Sequence, residues 1–180
     1  MRCDSNMKLI GMGISMYADD YKRLGSLLPP DLQTLLATEQ LTADVFTCPS
    51  SSDTKATGPT TQAVLSDLAK PGHCSYIYVG AGLTVSCNPN CVLLLEDPIN
   101  HGLAGAHILY ADGHVEWQTL DVVISYLNDL AGGRNPPSKP SMTLQQATAS
   151  YNRYWKSLMP QLKTGACNIA SAQAATLPVE

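Results

Sequence analysis

Apolar residues recur along this chain at two periods, and each change of period marks an element. Near the N-terminus, Cys3, Met7, Ile10, Ile14, Tyr17 and Tyr21 follow one another at alternating steps of four and three. Such steps stay on one face of an α-helix, so the run predicts a helix over 2–21 with a narrow apolar stripe. Leu9, Met12 and Met16 widen that stripe or make a second face. Asp4 and Ser5 suit a first turn, whereas Asp19 and Asp20 oppose the dipole at the other end, so the helix should stop near Tyr21. Gly11 and Gly13 each cost about 1 kcal/mol against Ala, which would be offset if they let another backbone approach closely.

Elsewhere the period falls to two. Ile108 and Tyr110 alternate with Leu109 and Ala111, and Val115 and Trp117 with His114 and Glu116. Between them Asp112-Gly113 is a strong hairpin signal, because a type I′ turn needs φ > 0 at both central residues. The pattern predicts strands at 107–111 and 114–118 with one apolar face, and the 2–21 helix is the partner for that face. Strands are also expected at 75–79 and 92–95. Short helices are expected within 29–45, starting at Pro30-Asp31, and at 61–69 and 120–130. Gly132 to Ser141 reads as a Pro/Gly-rich linker. Beyond it Leu144, Ala147, Tyr151, Tyr154, Leu158 and Leu162 give a second helical stripe, interrupted by Pro160. The tail from Thr164 is small and polar, expected to be loosely held apart from Cys167. The fold class expected is α+β: a globular head over 1–131, a linker over 132–141, and a helical C-terminal extension with a tail over 142–180.

Composition narrows the setting. The chain has 180 residues, 44% of them hydrophobic, which suffices for a core. Charged residues make up 14% and the net charge is −4, with no Lys/Arg run, so nucleic acid is not an expected partner. There is no apolar run long enough for a membrane span, nor an evident signal peptide. The six cysteines, Cys3, Cys48, Cys74, Cys87, Cys91 and Cys167, point to an oxidising compartment. Either the protein is cytosolic with reduced thiols or its export segment lies outside this chain, and the second is the expectation. Six cysteines allow 15 pairings. Most are expected to be oxidised, with Cys87–Cys91 the first candidate bridge, across a tight polar turn, and Cys48–Cys74 the second, flanking a polar loop.

Candidate chemistry is sparse. His101, His107, Asp112 and His114 have metal-ligand side chains, and the hairpin would place His107 and His114 near enough to share an ion with Asp112. The plainer alternative is a turn-forming Asp and surface histidines. Glu96 and Asp97 are the candidate calcium ligands, although no dense acidic loop surrounds them. Cys87-x-x-x-Cys91 lacks the second pair a zinc site needs, and Cys74 beside His73 is a remote candidate nucleophile. No serine-hydrolase elbow, phosphate loop or His-Glu-x-x-His is present, and no catalytic residue is assigned. Tyr76, Tyr78, Tyr110 and Trp117 suit a core better than a sugar site.

Four stretches in order carry a resemblance. Arg2 to Gly11 followed by Met16 to Tyr21, Phe46 to Ser50, Ser75 to Tyr78, and His101-Gly102 followed by Ala111 to Trp117 resemble the pseudopilin-like proteins marked by a His, nine residues and Asp-Gly. Here ten residues separate His101 from Asp112. The resemblance covers about residues 2–118; 142–180 match nothing in it. It implies a type IV pilin-like fold, a long N-terminal helix on an antiparallel sheet. It also implies a structural, non-catalytic subunit of a type II secretion or pilus-like filament in the cell envelope. Other pilin-type subunits and the secretion platform would be its partners, and the membrane anchor would be an apolar helix immediately before Arg2, with Met1 an added start. The alternative is an exported binding or adhesion module on the same fold, with metal binding as one possibility.

Overall fold

The computed structural model describes residues 2–39, 41–165 and 169. Cys167 and nearly all of the tail after Thr164 lie outside them. The first stripe forms helix α1, Arg2–Asp20. Cys3, Met7, Ile10, Ile14 and Tyr17 are buried along it, while Tyr21 lies beyond the helix, is exposed, and stacks on Tyr17. The stripe therefore ends one turn earlier than the sequence pattern predicts, where the chain leaves the sheet. Asp19 finds a cation in Lys22, which relieves the unfavourable charge at the helix end.

Helix α2, Leu32–Thr38, begins where expected because Asp31 Oδ1 accepts the Thr34 N–H at 2.7 Å. Helix α3, Thr61–Leu68, is capped in the same way by Thr60. Four strands follow: β1 (Tyr76–Tyr78), β2 (Val92–Glu96), β3 (Gly105–Tyr110) and β4 (Val115–Thr119). They form one antiparallel sheet in chain order, with Ile77 opposite Leu95, Leu95 opposite Ile108 and His107 opposite Trp117. Helix α4, Leu120–Ala131, leaves β4 directly.

Both faces of the sheet are covered. On one, Tyr76, Leu94 and Leu109 meet the α1 stripe, with Phe46 and Leu35 closing the layer. On the other, Ile77, Leu95, Ile108 and Tyr110 meet Val123, Ile124 and Leu127 of α4. The apolar hairpin face is thus half of the answer: alternate residues of β3 go to different cores. Each fully buried Leu, Ile or Met contributes about 1.5–3 kcal/mol, so α1 and α4 each hold the sheet by several such side chains. Adjacent Leu93 and Leu94 fall in one core because the register slips between Val92 and Leu94.

The hairpin turn differs from type I′. Tyr110 N–H bonds His114 O at 3.0 Å and Gly113 N–H bonds Tyr110 O at 2.9 Å, so three residues, 111–113, make the connection. Among the described residues only Ser26 and Leu103 have positive φ without being glycine, while Gly113 sits at 86°. Asp112 therefore keeps a negative φ. This is a type I turn followed by a left-handed glycine, the usual three-residue solution.

After α4 the chain runs through Gly132 to Ser141 and then forms α5 (Leu144–Ser150), a wide π turn (Tyr151–Trp155) and α6 (Lys156–Lys163). This helix packs Ala147, Tyr151, Trp155, Met159 and Leu162 on the α4 side of the sheet. The buried stripe differs from the expected one: Trp155 and Met159 replace Tyr154 and Leu158 at its centre, and Leu144 is exposed. Steps of four drift on a regular helix, and the π turn absorbs the drift.

Candidate functional site

The end of the sheet beside the start of α1 holds the molecule's most unusual polar group. Glu96 closes an otherwise apolar strand, Val92 to Leu95, and is completely buried. A carboxylate there must be paired, because an unpaired buried charge costs many kcal/mol. Three donors converge on its Oε2: the His107 backbone N–H at 3.0 Å, His107 Nδ1 at 2.9 Å and His101 Nε2 at 2.9 Å. Its Oε1 makes no hydrogen bond to a described residue.

Local structure places each partner. His107 lies on β3, one residue beyond the Leu95–Ile108 pair, on the same face as Leu109. His101 ends a short 3₁₀ turn, Pro98–His101, that Asp97 caps through the Ile99 N–H and Gly102 closes in the left-handed region. Trp117, opposite His107, sets its ring edge-on to both imidazoles, with centroids 5.1 Å from His101 and 4.9 Å from His107.

Sulfur completes the cluster. Cys3 of α1 is bonded to Cys48, with their Cα atoms 5.2 Å apart. Cys48 Sγ lies 3.9 Å from His101 Nε2. One ligand atom from each of Cys3, Cys48, Glu96 and His101 can be chosen so that all four lie within 4.8 Å of one another. The Cys48 loop is itself fixed by a buried polar chain. Cys48 N–H donates to Ser75 Oγ, Ser75 Oγ donates to Asp53, and Asp53 pairs with Lys163 of α6 at 3.0 Å.

The sequence-predicted groups fare unevenly. Cys48 bonds Cys3, not Cys74, and Cys87 and Cys91 are thiols. The reason is tertiary: α1 lies across the loop that carries Cys48, a proximity no local spacing signals. Cys74 is buried and its thiol is pushed up to about 12 by desolvation, which removes it as a nucleophile; His73 beside it faces Thr54 and Asp67. Burial also pushes the Cys91 thiol up, with the nearby Cys87 adding to the effect.

His107, Asp112 and His114 do not come together. Along the ladder His107 pairs with Trp117, while His114 sits opposite Tyr110 and stacks on its ring at 4.3 Å. Three residues of strand, about 10 Å, separate the two positions. His114 Nδ1 instead meets Asp112 Oδ1 at 2.5 Å within the turn. The His114 backbone N–H, then its ring, hold the Asp112 carboxyl below its ordinary value. The calcium pair is also divided. Glu96 serves the histidines, whereas Asp97 Oδ1 accepts from Tyr151 Oη at 2.7 Å, in a setting where burial raises its carboxyl pKa.

Glu96 and His101 are the partners that spacing alone does not link. The signal for Glu96 is in the sequence, an acid two positions after Leu94 on a strand buried on both faces. His101 was legible as a candidate metal ligand, grouped with His107, Asp112 and His114, but nothing in the spacing ties it to Glu96 or Cys48. No protein-family model, curated protein or solved structure matches this chain.

Proposed function

We propose that this chain is the head of a pseudopilin-type subunit, a structural and non-catalytic component of a type II secretion or pilus-like filament in the cell envelope. The observation that carries the reading is the two-faced character of α1. One face is spent on the antiparallel sheet, as the resemblance implies. The opposite face leaves Leu9 42%, Met12 61% and Met16 52% exposed, a second apolar stripe at helical spacing. A helix that only roofed its own sheet would carry polar residues there. In this reading the stripe lies against the helices of neighbouring subunits. No described helix is long and apolar enough to cross a membrane. Anchoring belongs, in this reading, to an apolar helix running into α1.

The test is Met12→Glu with Met16→Glu in the native host. Both side chains are exposed, so folding stability should change by no more than about 0.5 kcal/mol per substitution. The variant should keep its fold and lose co-purification with the other filament subunits. Undiminished co-assembly would overturn the proposal. The second reading, an exported binding module on the same fold, is favoured by the buried Glu–His–Cys cluster and predicts that assembly is indifferent to these substitutions.

A further inference from the structure

We propose that Cys3, Cys48, His101 and Glu96 form a zinc site that the Cys3–Cys48 disulfide closes and its reduction opens. The claim does not depend on the filament reading. Zinc takes thiolate, imidazole and carboxylate ligands in a tetrahedron, at about 2.3 Å to sulfur and about 2.0–2.2 Å to nitrogen or oxygen. The edges of that tetrahedron are about 3.7 Å between two sulfurs, about 3.6 Å between sulfur and nitrogen, and about 3.4 Å between nitrogen and oxygen. The observed Cys48 Sγ to His101 Nε2 distance is 3.9 Å, and His101 Nε2 to Glu96 Oε2 is 2.9 Å. Two of the edges are thus nearly in place. Once the bond is broken, Cα atoms 5.2 Å apart leave the sulfurs room to separate.

Two further observations point to a ligand. Glu96 is fully buried yet one of its oxygens has no described partner, while the other carries three donors. A cation would use the carboxylate that the protein has already desolvated. The outer contacts a metal site needs are also present. His107 Nδ1 donates to the Glu96 carboxylate, and Trp117 packs against both imidazoles. Such contacts orient ligands and shield them from water.

A dithiol reductant supplies two electrons and two protons, the Sγ–Sγ bond breaks, Cys3 and Cys48 become thiols, and the reductant becomes a disulfide. Zn2+ then displaces one proton from each thiol to solvent and binds two thiolates, the Glu96 carboxylate and neutral His101 through Nε2, whose proton passes to Nδ1 of the same ring as the Nε2–Glu96 hydrogen bond gives way to the metal. Oxidation by a disulfide reverses this: two electrons leave the thiolates, the Sγ–Sγ bond reforms and the metal is released.

Cobalt titration of the full chain tests this, because tetrahedral thiolate-bound Co2+ is coloured and Zn2+ displaces it. The oxidised protein should show no thiolate–cobalt band. The reduced protein should bind one equivalent with the spectrum of two thiolates. His101→Ala, whose fold can be verified in the oxidised state, should weaken binding at least tenfold. Cys87→Ser with Cys91→Ser should leave the one-equivalent band intact. The proposal is overturned if the reduced chain unfolds or binds nothing, if His101→Ala binds as wild type, or if the signal vanishes with Cys87 and Cys91.

Discussion

Gly105 begins β3 with φ of 159°, and a Cβ built there would lie 2.1 Å from the Gln118 carbonyl oxygen and 2.9 Å from the Trp117 ring. No side chain fits without moving β4. Gly105→Ala should cost at least about 2 kcal/mol in urea unfolding and should disturb the near-ultraviolet signal of Trp117. By contrast, Gly11 and Gly13 face the side chains of Leu109 and Leu41, not the backbone that the sequence led us to expect. Asp97 offers a test in pH. Burial raises its carboxyl, so the folded protein holds that proton more tightly than the unfolded chain. The resulting stabilisation is full below the unfolded carboxylate value, about 3.9, and is lost as pH rises through the higher folded value. Asp97→Asn keeps acceptors for Tyr151 and Ile99 and removes the titration. The stability difference between wild type and variant should therefore turn against the wild type as pH rises from 4 toward 7. A difference independent of pH would contradict it. The Asp112-Gly113 turn was legible as a turn but not as a type, because types I′ and I-plus-glycine share the left-handed glycine. Only the Tyr110–His114 register decides between them; under either turn at least three residues of strand keep His107 away from the position opposite His114.

At the scale of elements, the linker after α4 is tied to the sheet by one side chain. Asn135 Oδ1 accepts the Val92 N–H at 2.8 Å and its Nδ2 donates to the Val92 carbonyl at 2.9 Å, completing a strand edge. Asn135→Ala leaves both backbone groups unpaired and should cost about 2 kcal/mol, measurable by chemical denaturation. At the far end of the same segment, the Lys163–Asp53 pair has side chains only 9% and 8% exposed. Lys163→Met strands a buried carboxylate, which costs about 3 kcal/mol, whereas Lys163→Met with Asp53→Asn should recover much of it. All four strands were legible as short apolar or alternating runs, three of them set off by Gly, Pro or Asn, whereas β4 passes straight into α4. The α5–α6 stripe runs through Trp155 and Met159, one position beyond the Tyr154 and Leu158 of a regular helical period. A π turn leaves no mark in residue type.

Over the whole molecule, the sheet divides two cores, one roofed by α1 and one by α4 with the C-terminal helix. The first half of that arrangement followed from matching one helical stripe to a hairpin. The second did not, because β3 reads equally well as one-sided when its alternate residues, Leu109 and Ile108, are both apolar. The cluster around Glu96 is long-range throughout. It joins α1, the Cys48 loop, the ends of two strands and a 3₁₀ turn, so no single stretch contains its logic. The filament reading makes its sharpest demand on the mature protein in its own host. Mass spectrometry of the native N-terminus, taken with cell fractionation, measures it directly. The account predicts an envelope protein whose N-terminus is a prepilin-peptidase product, an apolar segment running into Arg2. A native product that starts at Met1 and stays in the cytosol with Cys3 and Cys48 reduced would contradict it.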